Sequence, residues 1–316
     1  MTAMQAQLLC ADTTGLLSGA AILRRGGLLA FPTETVYGLG ADARNGLAVA
    51  AIYAAKGRPS FNPLIVHLAD AAAARALCLF NPLAEKLASA FWPGALTLVL
   101  PLRAGSGISE LVTAGLSTLA VRVPDHPLAH QLLVEFGGPV AAPSANPSGR
   151  ISPTTAAHVM AGLGGRIDAV LDGGDCTVGL ESTIIGFDPG PVLLRAGGVP
   201  AEAVEAVLGM TLGRPTDPAT PTAPGQFASH YAPVGQLRLN VTHPEPHEVL
   251  LGFGPVQAAL NLSTRGDLTE AAANLFGHLH RLDAMGATRI AVSPIPDHGL
   301  GAAINDRLKR AAAPRV

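Results

Sequence analysis

The chain has 316 residues and a formal net charge of −2 at pH 7. This length exceeds what one hydrophobic core usually serves, so two domains are expected. Charged residues make up 14% of the chain and aromatic residues 4%. The composition excludes binding to nucleic acid or anionic membranes through a general excess of positive charge, so phosphate binding must depend on cations placed locally.

Helices and strands follow one another through the first two thirds of the chain. Apolar spacing predicts helices at residues 16–23, 48–55, 71–79, 82–90 and 154–160. Short apolar runs predict strands at residues 28–31, 64–68, 95–100, 119–123, 140–142, 169–172, 182–187 and 192–195. Ser152 is predicted to cap the helix at 154, with Pro153 at its first position. Strands and helices that do not alternate strictly indicate a twisted mixed sheet flanked by helices.

Residues 209–233 contain five prolines, which favours an extended, semi-rigid linker. Beyond it, strands are predicted at residues 237–240, 249–252, 258–262 and 289–293, with helices that begin at 267 and 302. Glu270, three residues after Asp267, indicates a capping box at the first of these helices. The sequence therefore predicts a domain at 1–208, a linker at 209–233 and a small α/β domain at 234–316.

The three cysteines bear on the cellular compartment. Cys10, Cys78 and Cys176 are isolated and odd in number, which argues against a disulfide framework and for a reducing environment. No segment reaches the ~18 apolar residues of a membrane helix. The first cation is Arg24, so no secretory signal is expected. The sequence predicts a cytoplasmic protein with no membrane partner.

One short loop concentrates phosphate-binding chemistry. Lys56 and Arg58 lie a few residues from Asn62, and Thr33 to Thr35 follow a predicted strand. Two cations beside hydroxyl and amide donors suit a polyanion such as a nucleoside triphosphate, held by charge-assisted hydrogen bonds. A solvated surface loop is the alternative at this point.

Other patterns carry weaker signals. Gly38, Gly40 and Ala43 match a dinucleotide fingerprint, but no acidic residue follows at about 20 positions to bind the ribose. No Walker loop occurs in the chain. His126 and His130 are four residues apart without a clear third ligand, so a metal site is not expected.

Several polar residues leave two interpretations open. Arg122 and Arg195 lie in apolar strands, where a buried arginine needs a partner. The partner is either an anionic ligand in a cleft or a carboxylate of Glu34, Asp125 or Glu181. His67 is either a core histidine or a substrate contact. Ser144 and Ser182 lack the G-x-S-x-G context of a nucleophile, which favours hydroxyl donors, and a catalytic thiol at Cys176 is not favoured.

Five strings in order resemble the Sua5/YciO/YrdC family: FPTETVYGLGAD (31–42), KGRPSFNPLIVHL (56–68), PSANPSG (143–149), GLESTII (179–185) and LLRAGG (193–198). HYAP (230–233) and GLGAAINDRLKRAA (299–312) are similar to the longer Sua5 subtype. The resemblance runs from about residue 15 to the C-terminus. It implies an α/β fold: a twisted mixed-sheet YrdC-like domain with a concave cleft, plus a smaller Rossmann-like Sua5 domain.

The resemblance also implies a reaction and its site. L-Threonine, bicarbonate and ATP would give threonylcarbamoyl-AMP and pyrophosphate, for the threonylcarbamoyladenosine modification of certain tRNAs. It places L-threonine on Thr35, His67, Arg122, the backbone of Ala142, and Ser182. It places the nucleotide on Arg58, Asn62, Thr118, Ser144, Ser152, Arg195 and Tyr231. Lys56 and Arg58 would act as catalytic cations at the phosphates.

Further expectations concern cofactor and partners. Mg²⁺ would bridge the phosphates of ATP, although no dedicated carboxylate cage is visible. The product would pass to a tRNA threonylcarbamoyl transferase, without stable nucleic-acid binding by this chain. The linker is expected to cross the mouth of the cleft and bring Tyr231 to the nucleotide; the alternative is that it only docks the second domain.

Two rival functions remain open. One is a double-stranded RNA or ribosome-binding module that uses the same cleft, which the charge and the scattered Lys and Arg residues disfavour. The other is carbamoyl transfer in hydrogenase maturation, whose larger proteins carry Cys-rich zinc modules. Three scattered cysteines do not form such modules.

Overall fold

The computed structural model describes residues 5–215 and 230–314. The N-terminal domain contains strands β1 (Gln7–Leu9), β2 (Leu29–Phe31), β3 (Gly38–Asp42), β4 (Ile65–His67), β5 (Leu96–Pro101), β6 (Thr118–Arg122), β7 (Val140–Ala141), β8 (Ala169–Leu171), β9 (Thr183–Gly186) and β10 (Val192–Arg195). Its helices are α1 (Thr13–Arg24), α2 (Gly46–Lys56), α3 (Ala71–Leu77), α4 (Pro82–Phe91), α5 (Glu110–Thr113), α6 (Pro127–Phe136), α7 (Ala156–Leu163) and α8 (Ala201–Leu208).

The ten strands form one sheet in the order β1-β8-β2-β3-β7-β4-β6-β5-β9-β10. Parallel and antiparallel pairs alternate irregularly, which confirms the predicted mixed sheet. At its centre β4 pairs with β6 in parallel, and His67 lies in register with Arg122. On its other side β4 pairs antiparallel with β7, with His67 opposite Val140. The sheet therefore brings together the ends of three strands that the sequence separates widely.

The C-terminal domain is a small parallel α/β unit, as predicted. It contains β11 (Gln236–Arg238), β12 (Val249–Gly252), β13 (Leu260–Asn261) and β14 (Arg289–Val292) in the order β11-β14-β12-β13. All of its strand pairs are parallel. Helices α9 (Leu268–Ala284) and α10 (Leu300–Ala312) pack on each other.

Two cap predictions were wrong in part. Helix α7 begins at Ala156, and the Thr155 hydroxyl, not that of Ser152, accepts from the backbone N–H of His158 at 3.1 Å. Asp267 does cap α9 through its carboxylate. The Glu270 carboxylate, however, accepts from the Ser263 hydroxyl at 2.6 Å. This bond replaces the one from the backbone N–H of Asp267 to Glu270 that would complete a capping box.

Some elements have weak sequence signals and were not predicted. Strand β1 has three residues at the edge of the sheet, where burial imposes little pattern. Strand β3 is built from small residues in GLGAD. Helices α5, α6 and α8 were also not predicted. Helix α6 begins with a proline after His126, which forms no side-chain cap.

The two domains share a hydrophobic core. Tyr231 and Leu180 belong to the same buried cluster as Leu275, Phe276 and Ile304 of the C-terminal domain. The predicted domain boundaries stay a prediction, and residues 216–229 of the predicted linker lie outside the described ranges. Within the described ranges, no helix combines the length and apolar character needed to cross a membrane.

Candidate active site

A cleft opens where the central strands of the N-terminal domain face the start of the C-terminal domain. Its lining residues are Thr33, Thr35, Val36, Gly38, Arg58, Ile65, His67, Arg122, Ala142, Pro143, Ser144, Glu181, Ser182, Arg195, His230 and Tyr231. Three arginines and one carboxylate contribute to this surface. The cleft therefore offers a net positive lining in a chain whose overall charge is slightly negative.

Arg122 organises one wall of the cleft. Its Nη1 donates to the hydroxyl of Thr35 at 2.7 Å, and its Nη2 forms an ion pair with Glu34 at 2.5 Å. Its Nε donates to the carbonyl oxygen of Gly94 at 3.1 Å. The carboxylate partner of Arg122 is therefore Glu34, and the guanidinium also lines the cleft; binding of an anionic ligand by Arg122 stays a prediction.

His67 lies beside Arg122 and is neutral at physiological pH. Burial, helped by the Arg122 charge, lowers the pKa of His67 to about 3. Its Nδ1 is buried and has no hydrogen-bond partner among the described residues, and its ring packs edge-on against Phe31 with centroids 6.1 Å apart. A buried polar atom without a partner costs free energy, so a ligand group that bonds to Nδ1 would be favoured.

Ser182 and Arg195 form the opposite wall. The Ser182 hydroxyl lies 2.7 Å from that of Thr97. The Arg195 guanidinium donates to the carbonyl oxygen of Ser182 from Nε at 3.1 Å and from Nη2 at 2.9 Å. Ala142 is the remaining proposed threonine contact. Its backbone N–H donates to the carbonyl oxygen of Ile65 at the centre of the sheet. The cleft thus brings together all five proposed threonine contacts.

Arg58 enters the cleft from the loop after α2. Gly57 ends that helix in the left-handed conformation, with φ at 61°, which turns the chain toward the cleft. The Arg58 side chain donates to the carbonyl oxygens of Asn62 and Pro63 at 3.3 and 2.9 Å. Burial lowers the pKa of Arg58 to about 10, so the guanidinium stays charged at neutral pH. The loop is exposed at Gly57, Pro59 and Ser60, whereas the Arg58 side chain is half-buried.

Lys56 lies beside the cleft rather than in its lining. Its Nζ donates to the carbonyl oxygens of Ser144 and Asn146 at 2.6 and 2.5 Å. Burial, with the nearby Arg58 charge, lowers its pKa well below the ordinary value. The ammonium links α2 to the turn that carries Ser144. Its expected role at the phosphates stays a prediction.

The proposed nucleotide contacts divide into two groups. Arg58, Ser144, Arg195 and Tyr231 line the cleft. Asn62, Thr118 and Ser152 lie outside its lining. Thr118 begins β6 opposite Pro101, and the buried Ser152 donates its hydroxyl to Glu181 at 2.5 Å. The Asn62 Oδ1 is buried without a partner among the described residues, so its capacity to accept a hydrogen bond is unused there.

Two titratable residues of the cleft lining, Glu181 and His230, were not assigned to the site from sequence. Glu181 was considered only as a partner for Arg122 or Arg195, but its carboxylate pairs with Arg307 at 2.8 Å. Burial alone would raise its pKa, yet Arg307 and Arg195 hold it down to about 2. His230, next to Tyr231, is neutral because burial lowers its pKa to about 3. Both residues lie in strings that the family resemblance already marked.

The described end of the linker closes one side of the cleft. Tyr231 is buried, with φ at 63°, and its ring lies 4.0 Å from that of His230. The backbone N–H of Ala232 donates to the carbonyl oxygen of Gly149 at 2.9 Å. At the linker's other described end, Gly213 pairs with the β10 region through Pro191 and Leu193. Both described ends therefore lie against the N-terminal domain.

The described residues contain no group of three or more His, Cys, Asp or Glu side chains that could hold a metal ion. The carboxylates nearest the cleft, Glu34 and Glu181, are held by Arg122 and Arg307. The arginines, hydroxyls and backbone groups of the cleft, with neutral histidines beside them, suit a small anionic ligand.

Comparison with known proteins places the chain in a family. The model of the Sua5/YciO/YrdC family, described as "Telomere recombination", matches residues 21–197, and the model described as "Threonylcarbamoyl-AMP synthase, C-terminal domain" matches residues 199–313. The chain belongs to the Sua5/YciO/YrdC family, in its two-domain Sua5 form. The resemblance noted in the sequence is thereby confirmed.

Full-length relatives carry the same two domains. The threonylcarbamoyl-AMP synthase of Bacillus subtilis is 43% identical over 95% of this chain and 94% of its own length. That of Pyrococcus abyssi is 40% identical, with 94% of both chains covered. These relatives support the predicted synthase over the RNA-binding alternative.

Solved structures agree with the fold. The crystal structure of P. abyssi Sua5 in complex with L-threonine matches with a TM-score of 0.88 and 37% identity, covering 97% of each chain. A variant of that protein with a histidine and a tyrosine replaced by alanine matches with a TM-score of 0.88. Escherichia coli YciO, at 22% identity and a TM-score of 0.55, shares the fold of the N-terminal part.

Proposed function

We propose that this chain is a nucleotidyltransferase that makes threonylcarbamoyl-AMP from L-threonine, bicarbonate and ATP. The observation that carries the proposal is the cleft in which Arg58, Arg122 and Arg195 surround His67 and Ser182. The family relatives named for this activity and the threonine-bound P. abyssi structure support the choice of substrates.

L-Threonine would occupy the wall formed by β4, β6 and β7. Its carboxylate suits Arg122, a guanidinium fixed on three sides by Glu34, Thr35 and Gly94. Its hydroxyl suits the orphaned Nδ1 of His67 or the Ser182 hydroxyl. Because these groups are buried, a ligand that forms hydrogen bonds with them should bind more tightly than one that leaves them without partners.

ATP would lie toward Arg58, Ser144, Arg195 and Tyr231, with Asn62 close by. Two guanidinium groups provide the charge-assisted bonds that phosphates require. Arg58 lines the cleft from the loop after α2 and Arg195 from the end of β10, so both would contact a triphosphate laid across the cleft. Tyr231 would contact the nucleotide from the linker side.

The proposed chemistry proceeds in two steps. The threonine amine adds to carbon dioxide derived from bicarbonate, forming an N–C bond and losing a proton, to give a carbamate. A carbamate oxygen then attacks the α-phosphorus of ATP; the α–β phosphoanhydride bond breaks and pyrophosphate leaves. Such a step depends on alignment and on stabilising developing charge rather than on a covalent enzyme nucleophile. Arg58 and Arg195 supply that charge.

Mg²⁺ enters the proposal as the counter-ion of ATP. The described residues form no cage for a metal ion, and the two nearby carboxylates are held by arginines. The ion would therefore arrive with the phosphates, as is usual for triphosphate substrates. This chain's own contribution is positive charge and hydrogen-bond donors.

We also propose that the labile product passes to a tRNA threonylcarbamoyl transferase in the cytoplasm. The free state of Cys10, Cys78 and Cys176 supports a reducing compartment. The negative net charge supports handover of the adenylate without stable tRNA binding by this chain.

Pyrophosphate release tests the proposal. The full chain is incubated with ATP, Mg²⁺, L-threonine and bicarbonate, and each component is omitted in turn. We expect release only with the complete mixture. Release that continues without L-threonine or without bicarbonate would show a different ATP-consuming reaction.

A further inference from the structure

Arg307 is a buried cation of the C-terminal domain that contacts residues of the cleft wall in the N-terminal domain. It lies on α10, and its side chain has 0% of its surface exposed. A charged side chain is seldom buried to this degree unless each of its donors has a partner. The identity of those partners indicates its role.

The first two partners belong to the cleft wall that Ser182 and Arg195 form. Arg307 Nε donates to the Glu181 carboxylate at 2.8 Å, and Nη2 donates to the carbonyl oxygen of Ala196 at 2.9 Å. Glu181 lines the cleft and immediately precedes Ser182. Ala196 immediately follows Arg195, which binds back to Ser182. One guanidinium from the second domain therefore fixes both segments of this wall.

Arg307 Nη1 donates to the Asp306 carboxylate on its own helix at 2.7 Å, and a further contact is made with Tyr231 of the cleft lining. The Arg307 guanidinium carbon lies 5.2 Å from the centroid of the Tyr231 ring, within the range of a cation–π contact. On α9, Phe276 stacks on the same ring with centroids 5.5 Å apart. Tyr231 is thus held between a cation and an aromatic side chain of the C-terminal domain.

We propose that Arg307 is a positioning residue through which docking of the C-terminal domain shapes the nucleotide side of the cleft. The proposal rests on the proposed function. Arg307 does not line the cleft, so it acts through Glu181, Arg195 and Tyr231. The C-terminal domain then does more than anchor the linker: it completes the nucleotide site.

Direct ATP binding tests the proposal apart from turnover. Calorimetric titration with ATP and Mg²⁺ compares the full-length protein with Arg307→Met and Arg307→Lys. Lys309→Met is the matched control, because Lys309 is an exposed cation two residues further along the same helix. We expect Arg307→Met to weaken ATP binding about 3- to 30-fold, the range that a cation–π contact supports. Arg307→Lys should recover part of the affinity, and Lys309→Met should change nothing.

A second variant separates positioning from folding. Arg307→Met leaves the buried Glu181 carboxylate without its ion-pair partner, although Arg195 stays nearby, so the double variant Arg307→Met/Glu181→Gln also removes the carboxylate charge. We expect the double variant to regain thermal stability and still bind ATP weakly. In turnover assays, loss of positioning raises KM for ATP more than KM for L-threonine. A purely structural role lowers only the fraction of active protein, and hence kcat.

Three outcomes overturn the inference. These are wild-type ATP affinity in a folded Arg307→Met, tighter ATP binding by that variant, and recovery of full affinity in the double variant. A wild-type protein that binds ATP but releases no threonine-dependent pyrophosphate would count against the proposed function instead, and the affinity comparison would still test Arg307. A wild-type protein without ATP affinity would contradict both.

Discussion

The Lys56 ammonium lies 2.6 Å from the backbone carbonyl oxygen of Ser144, and this bond joins the end of α2 to the turn that carries Ser144 in the cleft lining. A second bond reaches the carbonyl oxygen of Asn146 at 2.5 Å. In the family motif Lys56 and Arg58 are neighbours with the same charge. Their surroundings differ, since only Arg58 lines the cleft. The two residues should therefore respond differently to substitution.

Lys56→Met is expected to destabilise the protein. The carbonyl oxygens of Asn146 and Ser144 lose the bond from Lys56, and that of Ser144 keeps a bond from the backbone N–H of Asn146. The net cost is roughly 1–4 kcal/mol, because the variant no longer buries an ammonium group. Urea-induced unfolding followed by circular dichroism measures the change. A variant with wild-type stability but no ATP binding would instead place Lys56 at the phosphates.

Arg58→Ala is expected to preserve the fold and lower the rate. Loss of one charge-assisted phosphate contact should reduce kcat by about 10²- to 10³-fold, by analogy with removal of an oxyanion donor. The control is Arg75→Ala, which removes an exposed arginine paired with Glu85. The measurement is the initial rate of pyrophosphate release. Equal rates for the wild type and a folded Arg58→Ala variant would show that Arg58 has no role in the reaction.

Substrate selectivity should reflect the buried donors around His67 and Ser182. Serine lacks only the methyl group of threonine, so discrimination of about 10- to 200-fold is expected, whereas 2-aminobutyrate leaves buried polar groups unpaired and should be rejected more strongly. Values of kcat/KM for the three amino acids test this order. Equal turnover of all three would contradict a dedicated threonine pocket.

Acid should destabilise the protein through two half-buried histidines at the domain boundary. His158 of α7 and His280 of α9 stack across the domain boundary with centroids 3.8 Å apart. Burial, with the neighbouring His280 and Arg281, lowers the pKa of His158 to about 4, and burial lowers that of His280. Below the unfolded pKa of about 6.5, the unfolded chain binds more protons than the native protein. The free energy of unfolding therefore falls as pH drops from about 6.5 to about 4.

A ring substitution tests this pH dependence. His158→Phe keeps a ring for stacking and removes one titrating group, so the decrease in stability between pH 6.5 and 4 should shrink by roughly 1–3 kcal/mol. His298→Asn, at an exposed position, serves as the control. Urea unfolding at several pH values gives the comparison. An unchanged pH slope in His158→Phe would show that this histidine does not contribute.

Much of the cleft could be predicted because its residues lie in contiguous strings. Thr35, Arg58 and Ser182 each fall in such a string, and the structure brings all three to one surface. The mixed sheet was also predictable, because short apolar runs and amphipathic segments have distinct periods. The register that sets His67 beside Arg122 was not, because a local pattern does not specify which distant strands pair.

The partners of buried charges were the least predictable part. Glu181 was considered for the arginines of its own domain, yet it pairs with Arg307, which lies more than a hundred residues further along the chain. Ser152 looked like a helix cap, but its hydroxyl serves that same carboxylate. The Glu181–Arg307 pair depends on how the two domains dock, and the Ser152–Glu181 bond depends on how two distant segments of the N-terminal domain pack. No local pattern in the sequence specifies either.

The most direct test of the account identifies the product. The full chain is supplied with ATP, Mg²⁺, L-threonine and ¹³C-labelled bicarbonate, and the nucleotides are analysed by mass spectrometry. The account predicts an adenylate that contains threonine and one labelled carbon, and that disappears when L-threonine is omitted. An adenylate that carries threonine without the labelled carbon, or AMP alone, would contradict it.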